Sequence, residues 1–128
     1  RIRHTLAAKM SLPAVGQGAL GLECRANDQE TIDLIMPLMH EETNVCVRAE
    51  RAFNAYLEGG CQVPIAGFAT LDGQTLNIEG RVGSPDGQTL LQSQVSGTTE
   101  QAEQLGVQLA KNLLDQGAGE LLKALYQV

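Results

Sequence analysis

The chain has 128 residues, 43% of them hydrophobic and 19% charged, with a formal net charge of −6. That composition suits one soluble globular domain, or one small domain with an extra segment attached. The charge and the lack of a Lys/Arg cluster exclude a nucleic-acid-binding face, and the apolar runs fall well short of the roughly 20 residues a membrane span needs.

Trp is absent and aromatic residues make up 3%, so the core must be built from Leu, Val, Ile and Ala. Three cysteines, an odd number, with no apolar signal segment at the start, point to the reducing cytosol. No Cys or His pair has metal-ligand spacing, and no metal is expected. The sequence opens on Arg1 rather than Met, so a fragment of a longer polypeptide is expected; a processed N-terminus would read the same way.

In chain order, residues 1–12 run into Pro13, which biases its predecessor away from helix. Pro13-Ala14-Val15-Gly16-Gln17-Gly18 reads as a loop, and Ala19 to Cys24 as a strand. Asn27 or Asp28 can cap a helix reaching about Met36, which Pro37 ends or kinks. A second helix is expected from Glu41 to about Leu57, with Val45, Ala49, Ala52, Phe53 and Tyr56 at helical spacing and Gly59-Gly60 closing it.

The period then changes to two. Ile65, Gly67, Ala69 and Leu71 alternate, as do Leu76, Ile78, Gly80 and Val82, and more weakly Leu91, Ser93 and Val95. Turns are expected at Asp72-Gly73 and Ser84-Pro85-Asp86-Gly87, giving a three-stranded antiparallel meander. Thr98 and Gln101 have capping-box spacing ahead of the stripe Ala102, Leu105, Leu109 and Leu113. Gly117 and Gly119 separate that helix from a last one holding Leu121, Leu122 and Leu125. The expected class is α+β: a three-stranded antiparallel sheet with helices packed on one face. Residues 41–128 read as a complete small domain. Residues 1–40 read as incomplete, because one strand and one helix cannot bury their own faces.

Three thiols are present. Cys24 and Cys46 lie in a strand and a helix, where a free Cys is usually a small buried hydrophobe. Cys61 follows Gly59 and Gly60 and precedes Gln62-Val63-Pro64, on a loop where a planar group could approach the backbone. From the residues alone it is either a reactive loop thiol or a structural cysteine beside a helix end. It lies past a helix C-terminus, whose dipole raises a thiol pKa, and Glu58 pushes the same way. That disfavours an activated nucleophile and suits a thiol used once against a strong electrophile. Gln17 is a candidate polar contact in its loop, or simply part of loop punctuation. Arg48, Glu50 and Arg51 read as a solvated helix face with local ion pairs, and His4 and His40 as structural or surface residues.

Leu12-Pro13-Ala14-Val15-Gly16-Gln17-Gly18-Ala19, Glu23-Cys24-Arg25, Arg48-Ala49-Glu50-Arg51-Ala52-Phe53 and Leu57-Glu58-Gly59-Gly60-Cys61-Gln62-Val63-Pro64-Ile65 together resemble the C-terminal part of the porphobilinogen deaminase (hydroxymethylbilane synthase) family. The resemblance covers essentially the whole chain. It implies a three-domain transferase of tetrapyrrole, porphyrin and heme biosynthesis that joins four porphobilinogen units into hydroxymethylbilane, releasing ammonia each time. It also implies a dipyrromethane cofactor held by a thioether to Cys61, with Gly60 beside it and Gln17 on an interdomain loop lining the cleft. Deaminated porphobilinogen is a strong carbon electrophile, so a modest thiol can capture it.

On this resemblance, residues 1–40 hold the end of the second domain, the interdomain loop and a return strand and helix of the first. Residues 41–128 form the third, cofactor-carrying domain. The family's catalytic Asp and substrate-binding arginines have no counterpart here, so the chain alone is expected to be inactive and Cys61 to be a free thiol in it. The full enzyme is expected to be a cytoplasmic monomer taking porphobilinogen and the growing polypyrrole, with no nucleic-acid or membrane partner. The orphan strand of the isolated chain invites self-association. Two other readings are a non-catalytic α+β binding domain with a structural Cys61, and a thiol enzyme pairing Cys61 with His40.

Overall fold

The computed structural model describes residues 1–58 and 64–125. The first helix, α1 (Gln29–Ile35), starts on Asp28, whose carboxylate accepts from the Thr31 N–H at 3.2 Å. A single 3-10 turn at Met36–Leu38, carrying Pro37, follows it. The helix α2 (Glu41–Tyr56) is capped by His40, whose Nδ1 accepts from the Thr43 N–H at 3.4 Å. His40 is therefore a structural cap. The sheet consists of β1 (Ile65–Asp72), β2 (Thr75–Gly83) and β3 (Leu90–Thr98), antiparallel in the order β1-β2-β3. The helices α3 (Ala102–Asp115) and α4 (Ala118–Leu125) complete the chain.

The expected α+β class holds, and the strand alternation explains why. On β2, Leu76, Ile78, Gly80 and Val82 are buried while their neighbours are half-exposed, the period-two pattern of a sheet covered on one face. Asp72 pairs with Thr75 across Gly73-Gln74, and Gly73 takes φ +59 there, as a tight hairpin requires. Ahead of α3, Gln101 Oε1 reaches back to the Thr98 N–H at 3.1 Å, satisfying a donor that the helix start leaves free.

The core lies between this face and the helices. Val45, Ala49 and Phe53 of α2, with Leu57 just past its end, meet Ala69, Leu76, Ile78 and Val82 of the sheet and Leu109, Ala110 and Leu113 of α3. Two glycines set how closely these layers approach. A Cβ on Gly106 of α3 would collide with the Ala49 carbonyl and the Phe53 amide of α2, so only a glycine lets the two helices cross at this distance. A Cβ on Gly80 would lie 2.7 Å from the Phe53 ring. Phe53, fully buried, fills the space that those absent side chains leave.

Three expectations change. Ala19–Cys24 forms no strand: the segment has no regular structure, with Leu20 and Leu22 exposed and, among the described residues, no neighbouring strand to pair with. Cys24 is consequently exposed rather than a buried hydrophobe. The helix α2 ends at Tyr56, next to the expected Leu57, and Glu58 then takes a left-handed turn at φ 54; Gly59 and Gly60, expected to close the helix, lie outside the described residues. Gly119 falls inside α4, leaving Gly117 at φ +103 as the break between the last two helices. Among the described residues, no helix is long and apolar enough to cross a membrane.

Candidate functional site

Cys61 and Gly60, the covalent anchor and its neighbour in the sequence reading, lie outside the described residues. The structure does describe both ends of the segment that carries them. On one side Leu57 is buried in the core, and Glu58 turns the chain with a left-handed backbone, a conformation that costs a non-glycine residue about 1 kcal/mol. On the other side the Pro64 carbonyl accepts from the Gly83 N–H at 2.9 Å. The chain is thus held at Leu57 and again at Pro64, the described residues on either side of 59–63.

Gln17 sits on a loop docked against the same layer. Its backbone N–H donates to the Ala14 carbonyl at 3.0 Å, and its Oε1 accepts from the Ala14 N–H at 3.0 Å. Glycines at φ +69 and φ +87 flank it at positions 16 and 18. The side chain is exposed, so its amide NH2 is presented to solvent. Val15, half-buried, packs on the core at Gly67, where an added Cβ would stand 3.2 Å from its methyl. Gly67 is three residues beyond Pro64, about 10 Å along a strand. The Gln17 loop therefore attaches near the end of β1 at which Pro64 leads into the strand.

Glu50 is the residue that the sequence misassigned. It is 5% exposed rather than solvated. Oε2 accepts from the Gly16 N–H at 2.7 Å and Oε1 from the Ala69 N–H at 2.8 Å. Burial pushes its pKa above the ordinary 4.5, against the opposing pull of those two hydrogen bonds. A signal was present: Glu50 lies one turn after Cys46 and one turn before Phe53, at the edge of the apolar stripe of α2. Arg48 does not pair locally either. It forms a fork with Glu103 of α3, at 2.7 and 2.9 Å.

The remaining candidates separate cleanly. Cys46 is half-buried against the core, and burial, with Glu50 and Glu42 nearby, pushes its thiol pKa up. That is the opposite of activation. His4 is exposed. Beside Gln17 a small cleft is lined by Glu42, Cys46 and Glu50, so its charge is negative. Next to it, a groove of about 670 Å³ runs between Ala19–Leu22 and the stretch from Ile35 to Val47.

Residues 44–115 match the family model described as porphobilinogen deaminase, C-terminal domain. The chain belongs to the porphobilinogen deaminase family. Residues 1–33 match a second model of the same family, described as its dipyromethane cofactor binding domain. The family is one of transferases acting on porphobilinogen in tetrapyrrole biosynthesis, and it uses a dipyrromethane cofactor. Of the residues singled out in the sequence, Gln17 falls in the cofactor-binding match and Cys61 in the C-terminal one.

Proposed function

We propose that this chain is the C-terminal part of a hydroxymethylbilane synthase. The whole enzyme condenses four porphobilinogen units with release of ammonia, on a dipyrromethane held by a thioether to Cys61. Residues 41–128 form the third domain, and residues 1–40 hold the interdomain loop and pieces of the two domains before it. The observation that carries the reading is the C-terminal family match over residues 44–115, within which Gly59-Gly60-Cys61 falls, next to the cofactor-binding match over residues 1–33, within which Gln17 falls.

The residues fit such a group in two respects. Gly59 and Gly60 add no side chains ahead of the thiol in the sequence, and the Gln17 amide offers donors to a polypyrrole's carboxylates. The dipyrromethane, when bound, supplies the primer on which the chain grows. What these residues do not offer is positive charge. Glu42 and Glu50 line the cleft beside Gln17, so the carboxylates of the growing chain must be met by basic groups from elsewhere. Turnover by these 128 residues alone is not expected. Exposed Leu20, Leu22, Leu34 and Leu38 support the assignment of residues 1–40 to domains whose cores are completed elsewhere.

Peptide mass spectrometry on the protein from its native source tests the assignment. The expected result is an increment of two pyrrole units on the Cys61 peptide, absent in Cys61→Ser. An unmodified Cys61 in protein that forms hydroxymethylbilane would sink it and leave Cys61 a structural cysteine.

A further inference from the structure

Among the described residues Glu50 is the buried charged side chain, and no basic group neutralises it. An ion in that position is costly unless its oxygens are hydrogen-bonded. Here both are, each by a backbone N–H, and the two donors come from different parts of the chain. Ala69 belongs to β1, the edge strand of the sheet, where alternate N–H groups have no strand to pair with. Gly16 belongs to the loop at 13–18, 34 positions away in sequence. One carboxylate therefore joins helix, strand and loop.

A second contact acts on the adjacent residue. Val15 packs its side chain beside Gly67 and Phe53, while the Gly16 amide meets Glu50. Two consecutive residues are held, one by the core and one by the carboxylate, and Gln17 comes next. The turn that carries it is already closed by its bonds to Ala14. Once residues 15 and 16 are placed, little freedom remains in where the Gln17 amide stands.

We propose that Glu50 is a positioning residue: its carboxylate fixes the loop at 13–18 to α2 and β1, and so sets where Gln17 is presented to the ligand of the cleft. For its functional consequence this rests on the reading of Gln17 as a cleft residue. The contact itself is a property of the chain without ligand. A glutamine is nearly isosteric but has one acceptor oxygen for two N–H donors, and its NH2 must then face an N–H. It cannot reproduce the arrangement.

The test is NMR on the 128-residue chain. In wild type, the Gly16 and Ala69 amide resonances are expected to shift together with pH through one midpoint, that of Glu50, above the ordinary carboxyl value. The other titrating groups around the cleft are Cys46 and Glu42 on the same helix and His40 at its start; the loop and the stretch of β1 from Ile65 to Leu71 bring none. In Glu50→Gln, the Gly16 amide is expected to exchange at least tenfold faster while Ile78 and Leu109 keep their protection. Separate midpoints for Gly16 and Ala69 in wild type, or an unchanged Gly16 exchange rate in a folded Glu50→Gln, would overturn the proposal. The wild-type titration decides the matter even if the variant does not fold. A free Cys61 in the native protein would remove the cofactor reading and leave these amide measurements as they are, so the two failures are distinguishable.

Discussion

In the unit from α2 to α4, Leu76, Ile78, Val82, Leu109 and Leu113 are completely enclosed, whereas Leu20, Leu22, Leu34 and Leu38 of the first forty residues stand between 60% and 98% exposed. No residue from 1 to 40 is buried. The residue types are the same in both regions. The difference is that the sheet offers α2 and α3 a face, and nothing among the described residues offers one to residues 19–40. Burial is worth roughly 25 cal/mol for each Å² of apolar surface removed from water, so the second region has contributed almost nothing from its leucines. Where residues 1–40 are held at all, they are held at Val15 and Gly16, by a glycine notch and by Glu50. A further contact is a hydrogen bond from Arg81 of β2 to the Lys9 carbonyl at 3.2 Å.

That contrast can be broken from either side. Phe53→Ala empties the point where α2, β1, β2 and α3 meet, and unfolding by chemical denaturant should show a loss of about 4 kcal/mol. Gly106→Ala pushes a methyl against the α2 backbone, which cannot yield as a side chain would; a loss of roughly 3 kcal/mol is expected by the same assay. Glu50→Gln leaves a buried N–H without an acceptor and should cost about 2 kcal/mol at neutral pH. Arg48→Ala removes an exposed fork and should cost less than about 1 kcal/mol. Leu20→Gln, on the open side, should change stability by no more than about 0.5 kcal/mol. A loss of several kcal/mol at Leu20 would mean that residues 19–24 are packed after all.

Glu50 also gives the contrast a pH dependence with a definite sign. Its folded pKa is raised above 4.5. The folded state therefore holds this proton more tightly than the unfolded state does. The proton-linked part of its stability is present below the unfolded value and is lost as pH rises through the folded one, while the amide hydrogen bonds to Gly16 and Ala69 are a separate contribution. The stability of wild type relative to Glu50→Gln should accordingly grow on acidification across that window. A difference that shrinks instead would show that the two amide hydrogen bonds outweigh burial.

The local rules were legible in the sequence. Asp28 as a cap, the hairpin at Gly73, the reach of Gln101 to Thr98 and the period-two strands each depend on neighbours within a few residues, and the structure has them all. What depends on distant partners was not legible. Ala19–Cys24 has strand composition, but a strand needs a neighbour, so the segment lies open and Cys24 with it. Glu50 reads as surface charge between Ala49 and Arg51, because its two amide donors lie 34 residues before it and 19 residues after it. Only its position at the edge of the Cys46–Phe53 stripe hinted at burial. For the site itself, Gln17 was placed from motif and its loop was found docked, while Gly60 and Cys61 lie outside the described residues.

The most direct test of this division is residue-resolved hydrogen exchange on the whole 128-residue chain at neutral pH. The slowest amides should lie in β2, α2 and α3, with Ala19 to Arg25 exchanging near the unprotected rate and Gly16 standing out from its neighbours as slowed. Protection across residues 19–25 matching that of β2, with no distinction at Gly16, would contradict the view that one carboxylate and one glycine notch hold the loop to an otherwise self-contained domain.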